Sequence, residues 1–125
     1  MLEVTASLRT DAASIAAAGS FLAGLGKETA VVQDRVGLVM PRILCMVINE
    51  ACFALTEQIA QPSDIDTAMK LGTNYPKGPL EWANLIGIRQ VVSVLEALRT
   101  ATGEERYRVA PLLYQMSFES GPWKK

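Results

Sequence analysis

Residues 41–87 read PRILCMVINEACFALTEQIAQPSDIDTAMKLGTNYPKGPLEWANLIG, and the order of apolar runs, prolines and glycines in this stretch decides the fold class. Pro41 can stand in the first turn of a helix, where a missing N–H costs nothing. The run RILCMVINEACFALTEQIA behind it is apolar nearly all round. A helix without a clean polar face is a buried one, so a central helix is expected from Val39 to a stop at Pro62. Ser63 then caps a short helix, with Asp66 three residues on in place of the Glu or Gln of a capping box, and Gly72 closes it. The segment TNYPKGP holds two prolines and a glycine, so it reads as a stiff loop. Pro79 opens another short helix through Ile86.

Outward from this stretch the pattern stays helical toward the C-terminus. Ile88, Val91, Val92, Leu95 and Leu98 fall at i, i+3, i+4, i+7 and i+10, an amphipathic helix ending near Gly103. A last helix is expected from Pro111 through Phe118. Toward the N-terminus, Leu2–Thr5 alternates like a short strand, and Thr10 followed by Asp11 is a helix-start signal. The helix runs through Ile15, Ala18, Leu22 and Leu25 to a stop at Gly26, and Thr29–Gln33 (TAVVQ) is a second short strand. The division is therefore strand, helix, strand over 1–33 and a helical domain over 34–125, giving an all-α fold of five to six helices with a small β appendage. Two short strands do not make a stable sheet alone, so they are expected to lie against the helices or to pair with another chain.

Composition excludes several functions. Half of the 125 residues are hydrophobic and a fifth are charged, as in an ordinary folded domain. Twelve Lys and Arg stand against thirteen Asp and Glu, with no basic block beyond Lys124 and Lys125, so no face is built to neutralise nucleic-acid phosphates. The start MLEVTASLRTDAAS has no signal-peptide pattern, and the most apolar stretch, Val36–Leu55, is interrupted by Arg42, Asn49 and Glu50. A soluble, cytoplasmic protein with no membrane partner is the expectation. Cys45 and Cys52 lie seven apart on one helix, roughly 10 Å between α-carbons, too far to bridge, and read as buried, inert thiols.

Self-contained chemistry is missing. Histidine is absent from the whole chain, so there is no base near neutral pH, no zinc site and no Cys-His nucleophile. The only G-x-G, Gly24-Leu25-Gly26, ends a helix where a phosphate-cradling turn must begin one. Asp64 and Asp66 read as carboxylates favouring a helix N-terminus.

The stretch LGKETAVVQDRVGLVM (Leu25–Met40), continued by Pro41–Gly87, resembles the domain junction and C-terminal domain of 3-hydroxyacyl-CoA dehydrogenases. LEALRTATGEERYRVAPLLYQM (Leu95–Met116) is similar to that domain's closing helices. The most specific pieces are Asn49-Glu50-Ala51, Asp64-Ile65-Asp66 leading to Met69-Lys70-Leu71-Gly72, and the loop Pro76-Lys77-Gly78-Pro79 with Glu81; their order and spacing together carry the match. In that family an N-terminal Rossmann-type domain binds NAD and carries a His-Glu pair that removes the hydroxyl proton as hydride leaves. The helical domain closes over the acyl-CoA and supplies most of the dimer contact. Residues 1–33 resemble only the last strand, helix and strand of the nucleotide domain. The family's junction runs proline, glycine, aromatic, two variable positions, asparagine, arginine; here Val36, Gly37, Leu38, Val39, Met40, Pro41 and Arg42 stand in those places. Pro41 replaces an asparagine that faces the reacting end of the substrate, and its side chain neither donates nor accepts.

The resemblance implies the substrate-closing and dimerisation domain of an NAD-dependent, 3-hydroxybutyryl-CoA-type dehydrogenase of fatty-acid metabolism, an oxidoreductase part inactive alone. It also implies a homodimer, with the NAD-binding domain as a possible separate partner. The rival is a non-catalytic dimerisation or acyl-CoA-binding module that has lost the reaction. Candidates for a substrate pocket or domain interface are Met40, Pro41, Arg42, Asn49, Tyr75, Pro76, Gly78, Pro79 and Trp82, with no catalytic, cofactor or metal residue. Each has a plain alternative: Asn49 and Glu50 as structural hydrogen-bonding groups, the Tyr75–Pro79 loop as a mere connector, Trp82 as core. Pro122 and Trp123 are aromatic or stiff surface candidates for an interface.

Overall fold

The first strand, β1 (Leu2–Thr5), pairs in parallel with β2 (Thr29–Val32), in the register Leu2↔Thr29 to Thr5↔Val32, across the connecting helix α1 (Ala12–Gly24). This computed structural model describes residues 1–119, so Pro122, Trp123 and the terminal lysines lie outside the described residues. The strands thus satisfy each other through a helical crossover, where the sequence led to contacts with helices or another chain. Asp11 caps α1 by accepting the Ser14 N–H at 2.7 Å. At the far end Gly26 takes φ +68°, which lets the Lys27 N–H reach the Leu22 carbonyl and close the helix.

Five further helices form the second part: α2 (Met40–Thr56), α3 (Pro62–Thr73), α4 (Pro79–Ile86), α5 (Ile88–Thr102) and α6 (Pro111–Met116), with a 3-10 turn at Glu105–Tyr107. The α2 helix is the hub, packing on α4, α5 and α6. Cys45, Ile48, Ala51 and Cys52 from α2 meet Leu80 and Ala83 of α4, Val91 and Leu95 of α5, and Leu113 of α6 in one core. The amphipathic stripe of α5 is buried as its spacing requires: Ile88, Val91, Val92, Leu95 and Leu98.

The bounds of α2 and α3 and the burial of α2 differ from the sequence reading, and α6 ends at Met116, short of Phe118. The α2 helix stops at Thr56, short of Pro62, because Gln58 adopts φ +56°; the Ile59 N–H then bonds to Ala54 O and the Gln58 N–H to Leu55 O. That is a Schellman closure without the usual glycine, which hides it in the sequence. The α3 helix starts on Pro62, with Gln61 and not Ser63 at its N-cap, and ends past Gly72 with left-handed Asn74. Lastly, α2 is buried on one side only, since Met40 is 53% and Ile43 51% exposed.

Candidate functional site

The junction expected to face substrate lies at the start of α2. Gly37 (φ +76°) and Leu38 (φ +46°) are consecutive left-handed residues that turn the chain from the strand unit into the helix. A helix leaves its first N–H groups without intrahelical partners. Here every one is accounted for. Glu3, reaching over from β1, accepts from Met40 N–H at 2.8 Å and Val39 N–H at 3.2 Å. Pro41 has no N–H to satisfy, and Arg42 N–H bonds to Gly37 O at 3.0 Å. A carboxylate from the strand unit therefore fills the anion-favouring end of α2. Glu3 was not singled out from sequence, because nothing local links it to a helix that begins 37 residues later.

Arg42 is half-buried and donates to the hydroxyl of the buried Tyr107, with its guanidinium 5.1 Å from the Tyr107 ring centre. Arg106 lies at the same 5.1 Å from that ring and is ion-paired with Glu104. Between them and Glu50, the apolar side chains Ile43, Met46 and Val47 line a groove of about 450 Å³.

Asn49 faces the opposite way. It is 2% exposed, its Nδ2 donates to the Arg108 carbonyl at 2.9 Å, and its Oδ1 accepts the Ala110 N–H at 2.8 Å. Both halves of the amide are thus engaged inside the chain, holding the segment that leads into α6. A buried amide with both its oxygen and its nitrogen hydrogen-bonded fixes a loop; left unpaired it would cost stability.

The loop before α4 is anchored from α3. Gly78 is the N-cap of α4 and has no side chain with which to cap it. Asp66, 8% exposed, supplies that role from the neighbouring helix: its Oδ1 accepts Leu80 N–H at 2.8 Å and its Oδ2 accepts Glu81 N–H at 3.2 Å. A Cβ on residue 78 would run into the Asp66 carboxylate, so glycine is required for the two helices to approach. Glu81 closes the arrangement, accepting from Gly78 N–H at 3.0 Å and Lys70 Nζ at 2.9 Å, and these bonds hold its carboxyl below the ordinary value. Asp66 was expected to pair locally with Ser63; it is instead a cap for the next helix, a contact across 14 residues. Gly78 and Pro79 are buried in this brace, Tyr75 and Pro76 are exposed on the loop, and Trp82 is half-buried against the core.

The structure therefore separates the sequence candidates into three groups: Met40, Pro41 and Arg42 at the start of α2, Asn49 in the interior, and Tyr75 to Trp82 around the start of α4. Among the described residues, no hydrogen bond joins the first group to the third. The cysteines are buried and unpaired by disulfide, and burial pushes Cys45 up to about 11 and Cys52 up to about 12. No group of three or more His, Cys, Asp or Glu among the described residues could hold a metal ion. No described helix is long and apolar enough to cross a membrane.

Comparison with known proteins bears on the same segments. Residues 37–122 match the family model described as 3-hydroxyacyl-CoA dehydrogenase, C-terminal domain. The chain is 39% identical over 113 residues to a 3-hydroxybutyryl-CoA dehydrogenase of Bradyrhizobium diazoefficiens, covering 90% of this chain and 39% of that protein. It is 44% identical over 102 residues to the 3-hydroxyadipyl-CoA dehydrogenase of Escherichia coli, covering 81% of this chain and 22% of that one. The crystal structure of (S)-3-hydroxybutyryl-CoA dehydrogenase from Ralstonia eutropha superposes with a TM-score of 0.86 at 40% identity, over 91% of this chain and 40% of that chain. In each case the chain spans well under half of the relative.

Proposed function

This chain belongs to the 3-hydroxyacyl-CoA dehydrogenase family by its C-terminal domain, and from that premise we propose that it works as the substrate-closing and dimerising part of an NAD-dependent, 3-hydroxybutyryl-CoA-type enzyme of cytoplasmic fatty-acid metabolism, active only together with a nucleotide-binding domain. The observation that carries the reading is the parallel β1–α1–β2 unit riding on a helical domain of this family, tied to it through Glu3. That unit has the form of the end of a nucleotide domain, residues 1–33 against the helical 34–125.

The residues present do not fit NAD. The turn between β1 and α1, Ala6–Asp11, contains no glycine, and Gly26 closes α1 where a dinucleotide cradle must open a helix. Nor does the chain contain a histidine to take the hydroxyl proton. What it offers an acyl-CoA is a surface: Met40, Pro41 and Arg42 on one side, and the braced Tyr75–Pro79 loop with Trp82 on the other, as pocket or domain interface. The outer face of α2, apolar and half exposed, suits a homodimer.

The rival, a dimerisation or acyl-CoA-binding module without a reaction, is favoured by one feature, Pro41 in place of the family's asparagine. NADH-dependent reduction of acetoacetyl-CoA separates the two. The chain alone should give no turnover, and activity on adding the nucleotide domain of a 3-hydroxybutyryl-CoA dehydrogenase supports the enzyme-domain reading. No activity, with acetoacetyl-CoA still binding by calorimetry, supports the module; turnover by the chain alone would overturn both.

A further inference from the structure

The outer face of α2 carries two opposite charges, Arg42 and Glu50, that no ion pair among the described residues uses. Arg42, Met46 and Glu50 follow at i, i+4 and i+8, so they lie along one side of the helix, with Arg42 and Glu50 separated by about 12 Å along its axis. Met46 is midway between them. Ile43 and Val47, each one residue on from Arg42 and Met46, fill the strip beside this row and with it line the groove. Arg42 and Glu50 belong to none of the ion pairs among the described residues, which are Lys70–Glu81, Arg99–Glu105 and Arg106–Glu104. Arg42 is nevertheless held in place, stacked on Tyr107.

We infer that this face takes the α2 helix of a second copy of the chain, antiparallel, about a two-fold axis passing at Met46, so that Arg42 of each copy meets Glu50 of the other. The inference rests on the homodimer reading above and specifies its register. A row with a cation at one end, an anion at the other and an apolar centre is complementary to itself only when reversed. A two-fold axis performs that reversal, and it produces both ion pairs at once. A parallel partner would set Arg42 against Arg42 and Glu50 against Glu50. A shift by one helical turn would leave one charge of each pair facing Met46. Because Arg42 is already fixed on Tyr107, pairing orders fewer rotatable bonds than two free surface side chains would require. The apolar strip supplies association and the charges supply orientation.

Analytical ultracentrifugation of the chain gives the dimer dissociation constant, with folding checked by circular dichroism. E50R sets like charges together at both ends of the pair and should weaken dimerisation at least about tenfold, roughly 1.4 kcal/mol. The swap R42E/E50R should return it to within about threefold of the unmodified chain. M46C should cross-link to a covalent dimer under mild oxidation, since the axis brings the two Met46 positions together, while I59C, exposed outside this face, should not. Should replacement of Arg42 disturb its Tyr107 contact and unfold the chain, E50R and M46C still decide. A chain that stays monomeric at tens of micromolar, a range that populates a dimer with a dissociation constant of about 1 μM, removes the homodimer reading and this inference together. A dimer insensitive to E50R and not cross-linked through M46C keeps the homodimer and overturns the register, as does a swap that fails to restore what E50R weakens while remaining folded.

Discussion

Replacing Asn49 with alanine tests whether the interior amide holds the fold. The side chain is 2% exposed and makes two bonds of 2.8 and 2.9 Å, to Ala110 N–H and Arg108 O. Each is worth about 1 kcal/mol net, but Ala110 is completely buried, so its N–H loses a partner where water does not reach. Such an orphaned donor costs about 1–3 kcal/mol. Taking the two bonds and the desolvated donor together, without counting any term twice, the loss is about 2–4 kcal/mol. For a chain of this size that lowers Tm by about 8–16 °C. Urea unfolding followed by circular dichroism measures it, and native-state hydrogen exchange should show the Ala110 amide exchanging faster in the variant even under conditions where the helices remain folded. Asn49→Asp, which can still accept from Ala110 but opposes an oxygen to the Arg108 carbonyl, should be destabilised as well. A stability within 0.5 kcal/mol of the unmodified chain, about the effect of an ordinary surface change, would refute the reasoning.

Gly78→Ala should destabilise by about 2–3 kcal/mol by forcing α3 and α4 apart at Asp66, whereas Gly72→Ala, with open space around its Cβ, should be neutral or stabilising in the same urea titration. Because the Lys70 and Gly78 hydrogen bonds lower the Glu81 pKa, its contribution to stability is present above the ordinary value of 4.5 and is lost as pH falls through the lowered one. An NMR titration of the Glu81 carboxyl should give a midpoint below 4.5, and E81Q should remove that part of the acid limb of the stability curve. With pKa values pushed to about 11 and about 12 and side chains 2% and 0% exposed, Cys45 and Cys52 should resist iodoacetamide at pH 8 in the native chain and react once urea unfolds it. Mass spectrometry after alkylation reads this directly.

Local pattern determined most of the element order. The 3-4 spacing of α5, Pro79 at the start of α4, and Gly26 behind α1 each act within one or two turns of chain, and physics of that range is written in neighbouring residues. The family, too, was legible, because its motifs are short and ordered. What the sequence concealed were contacts between distant residues: Glu3 on the first turn of α2, Asp66 capping α4 for a glycine that cannot cap itself, and Asn49 holding the entry to α6. It also concealed Gln58 ending α2 in a conformation usually left to glycine, and the half-exposed outer side of a helix that composition alone would bury completely. A hydrogen bond across 14, 37 or 61 residues leaves no periodicity behind it. Only the packing of α2 against α4, α5 and α6 decides which of its apolar residues become core and which remain as a surface.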